Sequence, residues 1–198
     1  MNRREFLRRL ALIGIGAAVF PFFPAAAEAS WYIPSALPGV SVRPTHLKFR
    51  ELENRFVTDC IVVHHIGMAN NDDVSAETVH QWHLNNGWSG IGYHYVIRKS
   101  GAIEAGRPHW AIGAHAYGEN KHTIGIHVCG NFEIAEPTDA QIEALAMLIA
   151  NLCEDYGLPI DEDHVVGHRD LMATACPGAN LYALLPDVRG KANWYAQN

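Results

Sequence analysis

The chain has 198 residues, of which 48% are hydrophobic and 18% charged, with a formal net charge of -6. That length supports one folded domain with additional segments, and the apolar share excludes a chain too polar to build a core. The acidic balance argues against a nucleic-acid binder, which would carry a basic face. Twelve histidines are many for this length. Histidine is the commonest metal ligand and the usual acid–base group near neutral pH.

Residues 1–29 have the layout of an export signal. Arg3, Arg4, Arg8 and Arg9 precede an apolar run from Leu10 to Phe23, and Ala25-Ala26-Ala27-Glu28-Ala29 follows. Ala27-Glu28-Ala29 fits a cleavage site, and the apolar run is too short to span a bilayer comfortably. Arg3-Arg4-Glu5-Phe6-Leu7 resembles a twin-arginine signal, with an ordinary secretory signal as the alternative. Residues 30–55, with Pro34, Pro38 and Pro44, show no clear periodicity and are expected to form an irregular arm on the domain that follows, residues 56–198.

From Cys60 the pattern becomes regular. Cys60 to His64 is a short β-branched run and predicts a buried strand. Ser75 to Leu84 predicts a helix ended by Asn85-Asn86-Gly87. Gly92 to Arg98 alternates like a strand, Lys99-Ser100-Gly101 is a turn, and Ala102 to Ala105 returns, which predicts a hairpin. Thr123 to Cys129 is a further strand. Thr138 to Tyr156 carries a capping-box pair, Thr138 and Gln141, then Ile142, Leu145, Ile149 and Leu152 at helical spacing, with Gly157 and Pro159 as the stop. Val165-Val166 is a short strand, and Leu181 to Leu185 a last helical turn or two. The expected fold class is mixed α/β: a central mixed β-sheet with helices packed on it.

Three segments place polar residues where burial would be costly without a purpose. His64-His65 ends the first apolar strand, Gly167-His168-Arg169-Asp170 follows Val165-Val166, and Cys176-Pro177-Gly178 closes the next loop. Two imidazoles and a thiolate suit zinc, and three protein ligands leave a fourth position for water. Adjacent strand residues point to opposite faces, so His64 and His65 are not both expected at one ion. From spacing alone, packing histidines and a buried free thiol account for these residues equally well.

These segments also carry a resemblance. IVVHH (61–65), QWHLNNGWSGIGYHYVIRKSGAIEAGR (81–107), GAHAYGENKHTIGIHVCGNF (113–132) and GHRDLMATACPG (167–178) resemble the type 2 N-acetylmuramoyl-L-alanine amidases, a zinc family that includes phage lysozyme-type amidases and the peptidoglycan recognition proteins. The resemblance implies one zinc ion (Zn2+) per chain on His64, His168 and Cys176, with Tyr93 as a catalytic residue. Active members carry lysine or threonine two residues before the ligand cysteine, and here it is Thr174. Non-catalytic recognition members typically lack the cysteine, and a recycling branch has aspartate in its place. Cys176 therefore implies an enzyme outside that branch. The implied substrate is peptidoglycan or a muropeptide, cut between N-acetylmuramic acid and L-alanine. The export signal points to a periplasmic or secreted enzyme, and a monomer is expected.

Further expectations follow at lower resolution. His65, Trp88, His115 and Asn131 are candidate substrate contacts, and Trp110 a second tryptophan able to stack on sugar. His115 could equally make a structural hydrogen bond. Asp170 could accept from a zinc-bound imidazole or pair with Arg169. His94 should alternate away from Tyr93. Cys153 reads as a buried thiol in the long helix; Cys60 and Cys129 could form a disulfide if their strands are neighbours, although the pairing geometry is strict. Two other functions compete: a peptidoglycan-binding module with a degraded site, and a zinc hydrolase of another amide bond.

Overall fold

A computed structural model describes residues 40–198. The export-signal segment and residues 30–39 of the arm lie outside the described residues. Elements are numbered in chain order: β1 Val42–Arg43, β2 Cys60–His65, α1 Ala76–Asn85, β3 Tyr95–Ile97, β4 Ile103–Ala105, β5 Thr123–Val128, α2 Asp139–Tyr156, β6 Val165–Gly167, α3 His168–Leu171, α4 Ala179–Ala183 and α5 Leu185–Gln197. The strands form one mixed sheet in the order β1-β4-β3-β5-β2-β6. β3 and β4 pair antiparallel as the predicted hairpin. β2 runs parallel to both β5 and β6.

The register sorts side chains onto two faces. Ile61 lies opposite Ile124 and Val63 opposite Ile126; on the other parity Cys60 faces Thr123, Val62 faces Gly125 and His64 faces His127. Because strand side chains alternate, one face is isoleucine and valine, and the other carries the polar residues. α2 and α5 pack on the apolar face through Leu145, Leu148, Ile149, Leu152, Val188 and Ala192. Each such fully buried leucine, isoleucine or valine stabilises the fold by about 1.5–3 kcal/mol. α1 packs on the polar face in a smaller cluster of Val74, Ala76, Val79, Ile91, Val96 and Cys129.

Local chemistry sets the helix ends. The Thr138 hydroxyl accepts the Gln141 N–H at 3.1 Å, and the Gln141 side chain accepts the Thr138 N–H at 3.0 Å. Gly157, at φ 67°, closes α2 in the left-handed conformation. At α1 the N-terminal Ala76 N–H donates to Glu104 of β4 at 2.7 Å. The same carboxylate accepts from Arg98 at 2.9 Å, and Arg98 also pairs with Asp73 at 3.0 Å. This network ties the hairpin to α1.

Three expectations change. The helical turn expected at Leu181 to Leu185 falls on the five-residue α4, but it is not the last: a thirteen-residue helix, α5, follows it. Pro186 sits in its first turn, where proline is tolerated, and Leu185, Val188 and Ala192 form its buried stripe. The arm contributes a two-residue strand pairing with β4. Cys60 and Cys129 are both free thiols. Their strands are neighbours, but parallel pairing puts them at opposite ends, about 20 Å apart at the usual rise per residue. Cys153 is the buried free thiol expected, and burial pushes it up to about 12.

Candidate metal centre

The parallel pairing of β2 and β6 builds the centre. Val63 is in register with Gly167, so the next residues, His64 and His168, emerge side by side at the carboxyl ends of the strands. Their ring centroids are 4.5 Å apart. The loop after α3 returns Cys176 to the same point, with Sγ 3.6 Å from His64 Nδ1. The His65 backbone N–H donates to that sulfur at 3.3 Å. One ligand atom from each of His64, His168 and Cys176 lies within 4.8 Å of the others. His64 is buried, whereas His168 and Cys176 are half-buried, so the cluster has a solvent side.

The electrostatics favour a cation. Burial lowers the pKa of both His64 and His168, so both imidazoles are neutral and each offers a lone pair. Burial pushes the Cys176 thiol up to about 12. A thiolate here needs a positive charge beside it, which a divalent ion supplies. Two nitrogens and one sulfur are a donor set that fits zinc.

Tyr93 lies against this cluster. Its ring centroid is 5.1 Å from that of His64 and 5.0 Å from that of His127, on which it stacks. Burial raises its phenol well above the usual range, so it stays protonated at neutral pH. Thr174 is brought in by the ligand loop, where its hydroxyl oxygen accepts the Cys176 N–H at 3.2 Å. That oxygen can still donate its own proton. Trp88 is 44% exposed, with its ring 4.5 Å from the buried ring of His83. Trp110 is 45% exposed.

Other candidates take different places. His65 points to the opposite face from His64; its Nδ1 accepts the Phe132 N–H at 3.1 Å and it is buried. Asn131 is likewise used inside the protein: its amide donates to the Met68 carbonyl and accepts from the Glu133 N–H at 3.1 Å. His115 is buried against the His64, His168 and Cys176 cluster, with Nδ1 3.0 Å from His64 Nε2. Asp170 neither accepts from a ligand histidine nor pairs with Arg169. It accepts the Gly167 N–H at 2.7 Å and the Tyr182 hydroxyl at 2.5 Å. Arg169 instead bonds Glu133 at 3.1 Å, and Glu133 also accepts the Ala179 N–H at 2.8 Å. Glu133, unmarked by any motif, thus braces the loop that carries Cys176. His94 precedes β3 rather than lying within it, so strand alternation does not apply; both its ring and that of Tyr93 approach His115, at 5.7 and 6.4 Å. His127, also unanticipated, is fully buried beneath Tyr93.

Comparison with known proteins gives this geometry a family. Residues 54–179 match the family model described as N-acetylmuramoyl-L-alanine amidase. An endolysin of Escherichia phage T7 is 33% identical over 137 residues, covering 66% of this chain and 87% of that protein. Among solved structures, the N-acetylmuramoyl-L-alanine amidase LysC from Clostridium intestinale URNW superposes with a TM-score of 0.70 at 31% identity, covering 78% of this chain and 99% of that one. Wild-type Drosophila PGRP-LB superposes with a TM-score of 0.63 at 26% identity, covering 72% and 92%. The matched region contains His64, His168, Cys176 and Tyr93, and on these findings the chain belongs to the N-acetylmuramoyl-L-alanine amidase family.

Proposed function

We propose that the chain hydrolyses the amide between N-acetylmuramic acid and L-alanine of peptidoglycan, with one zinc ion held by His64, His168 and Cys176. The observation that carries this is the convergence of those three donors within 4.8 Å, inside the region that matches the amidase family. Bound zinc supplies Lewis acidity to the scissile carbonyl and to the attacking water. The protein supplies the rest. The half-buried, protonated Tyr93 donates a hydrogen bond to the oxyanion that develops as the carbonyl carbon becomes tetrahedral. The Thr174 hydroxyl, fixed through its oxygen by the Cys176 N–H, is a second donor toward the same region. Trp88, exposed at the surface and backed by His83, offers a ring face for a sugar. A degraded binding site would lack part of this set.

Residues 1–29 fit this function as an export signal, placing the enzyme in the periplasm or outside the cell. No helix among the described residues is long and apolar enough to cross a membrane.

Digestion of purified sacculi tests the bond. Released peptides should begin with a free L-alanine amine, and no new reducing sugar ends should form. New reducing ends, cuts within the stem peptide, or binding without release would each overturn the proposal.

A further inference from the structure

A zinc-binding histidine must present an unprotonated nitrogen, so the position of its single proton matters as much as its location. His64 approaches Cys176 through Nδ1, at 3.6 Å, and contacts His115 Nδ1 through Nε2, at 3.0 Å. In a pair of neutral imidazoles one nitrogen must donate and the other accept, and the ring contact alone permits either order. The far side of His115 decides it. His115 Nε2 lies 3.4 Å from the Thr123 hydroxyl oxygen. Thr123 has one hydroxyl proton, and it donates that proton to the Glu119 carbonyl at 2.8 Å. A carbonyl can only accept. Thr123 must therefore accept from His115 Nε2–H, which leaves His115 Nδ1 as an acceptor. His64 Nε2 must then carry the proton, and Nδ1 is left with its lone pair toward Cys176.

The surroundings of His115 are shaped for this task. A Cβ added at Gly113 would come within 2.5 Å of His115 Cδ2, and one at Gly125 within 2.5 Å of Cγ, so two glycines leave room for the ring. The backbone N–H groups of His115 and Ala116 both donate to the Asn120 side chain, at 2.7 and 2.9 Å, which fixes the turn. Thr123 is fully buried, and His115 is only 9% exposed.

We propose that Thr123 and His115 are positioning residues for the metal: the chain Glu119 carbonyl, Thr123 hydroxyl, His115, His64 locks His64 in the tautomer that presents Nδ1 to the ion. The proposal rests on the zinc assignment above. It makes the backbone carbonyl of Glu119 the fixed end of the relay, so threonine or serine at 123 should serve and valine should not.

Two measurements test it. Long-range proton–nitrogen correlation spectra of the zinc-free wild-type protein, labelled with 15N-histidine, should show His64 protonated on Nε2. Zinc affinity, measured by competition with a chromogenic chelator, should fall about tenfold or more in Thr123→Val and return close to wild type in Thr123→Ser, in keeping with the 10–100-fold effects of residues that orient metal ligands. A His64 proton on Nδ1 in the zinc-free wild type overturns the relay even if Thr123→Val fails to fold. So does equal zinc affinity in wild type and Thr123→Val. A wild-type protein that takes up no zinc overturns the metal assignment, and this relay with it.

Discussion

The two faces of the sheet come from the same strands, and neighbouring residues differ only in parity. On one face Ile61, Val63, Ile124 and Ile126 meet α2 and α5. On the other, one residue along, His64, Gly125 and His127 meet Tyr93 and His115, and Val62 packs with Cys60, Val166 and Leu171. Both faces are buried, so burial alone does not distinguish core from site. Partners do. The apolar face is satisfied by packing in any well-fitting arrangement, whereas each polar group on the other face needs a specific donor, acceptor or ion. Changes on the first face should therefore register as stability, and changes on the second as chemistry.

Cys176→Ser is the strongest test of that division. It should abolish zinc binding at equimolar metal and reduce amide hydrolysis by more than about 10³-fold, while the metal-free protein keeps its circular dichroism spectrum; metal analysis beside product release would check both. Tyr93→Phe should lower kcat by about 10²–10³-fold with zinc retained, since it removes a donor and no ligand. Unchanged turnover would remove Tyr93 from the chemistry. On the apolar face Leu148→Ala should cost about 2–5 kcal/mol in urea unfolding and leave turnover per folded molecule unchanged. A large loss of turnover there would break the comparison.

A further effect comes from pH. Burial lowers His83 to about 4 and His109 to about 3, and neither belongs to the metal set. Both are neutral in the fold and become protonated in the unfolded chain below about 6.5. Their contribution is thus intact above that pH and lost as pH falls toward 4 and 3. Each should remove about 1.4 kcal/mol per pH unit across that window. Urea midpoints of the zinc-free protein at pH 8, 6.5 and 5 would show the slope, to which the other buried histidines add, and His83→Gln should reduce it by that one group's share. Constant midpoints would contradict the assignment.

Much of the apolar face was legible in the sequence, because packing leaves periodic traces. The stripe Ile142, Leu145, Ile149 and Leu152 and the Thr138–Gln141 cap specify α2, and the run before His64 specifies β2. The C-terminal helix was less legible. Its period is present in Leu185, Val188 and Ala192, but Pro186 and Gly190 are poor helix formers that blur the signal, although the first sits in a helix's opening turn where proline is tolerated. The polar face was legible only in part. Alternation along β2 separates His64 from His65, and the structure agrees. The metal set itself depended on family resemblance, since nothing in spacing says that β2 and β6 are neighbours. The Arg169–Glu133 pair, the Glu133–Ala179 bond and the His64 contact of His115 arise across long sequence separations. Gly113 and Gly125, which flank the His115 ring, were the available sequence signal that this histidine is packed rather than exposed.

The central claim is that the polar face holds one metal ion on His64, His168 and Cys176. X-ray absorption at the zinc edge, on protein loaded with one equivalent of zinc, tests it most directly. The expected result is a four-coordinate shell with two imidazole nitrogens at about 2.0–2.1 Å, one sulfur at about 2.3 Å and one further light atom. A shell without sulfur, or zinc that binds equally well to Cys176→Ser, would contradict it.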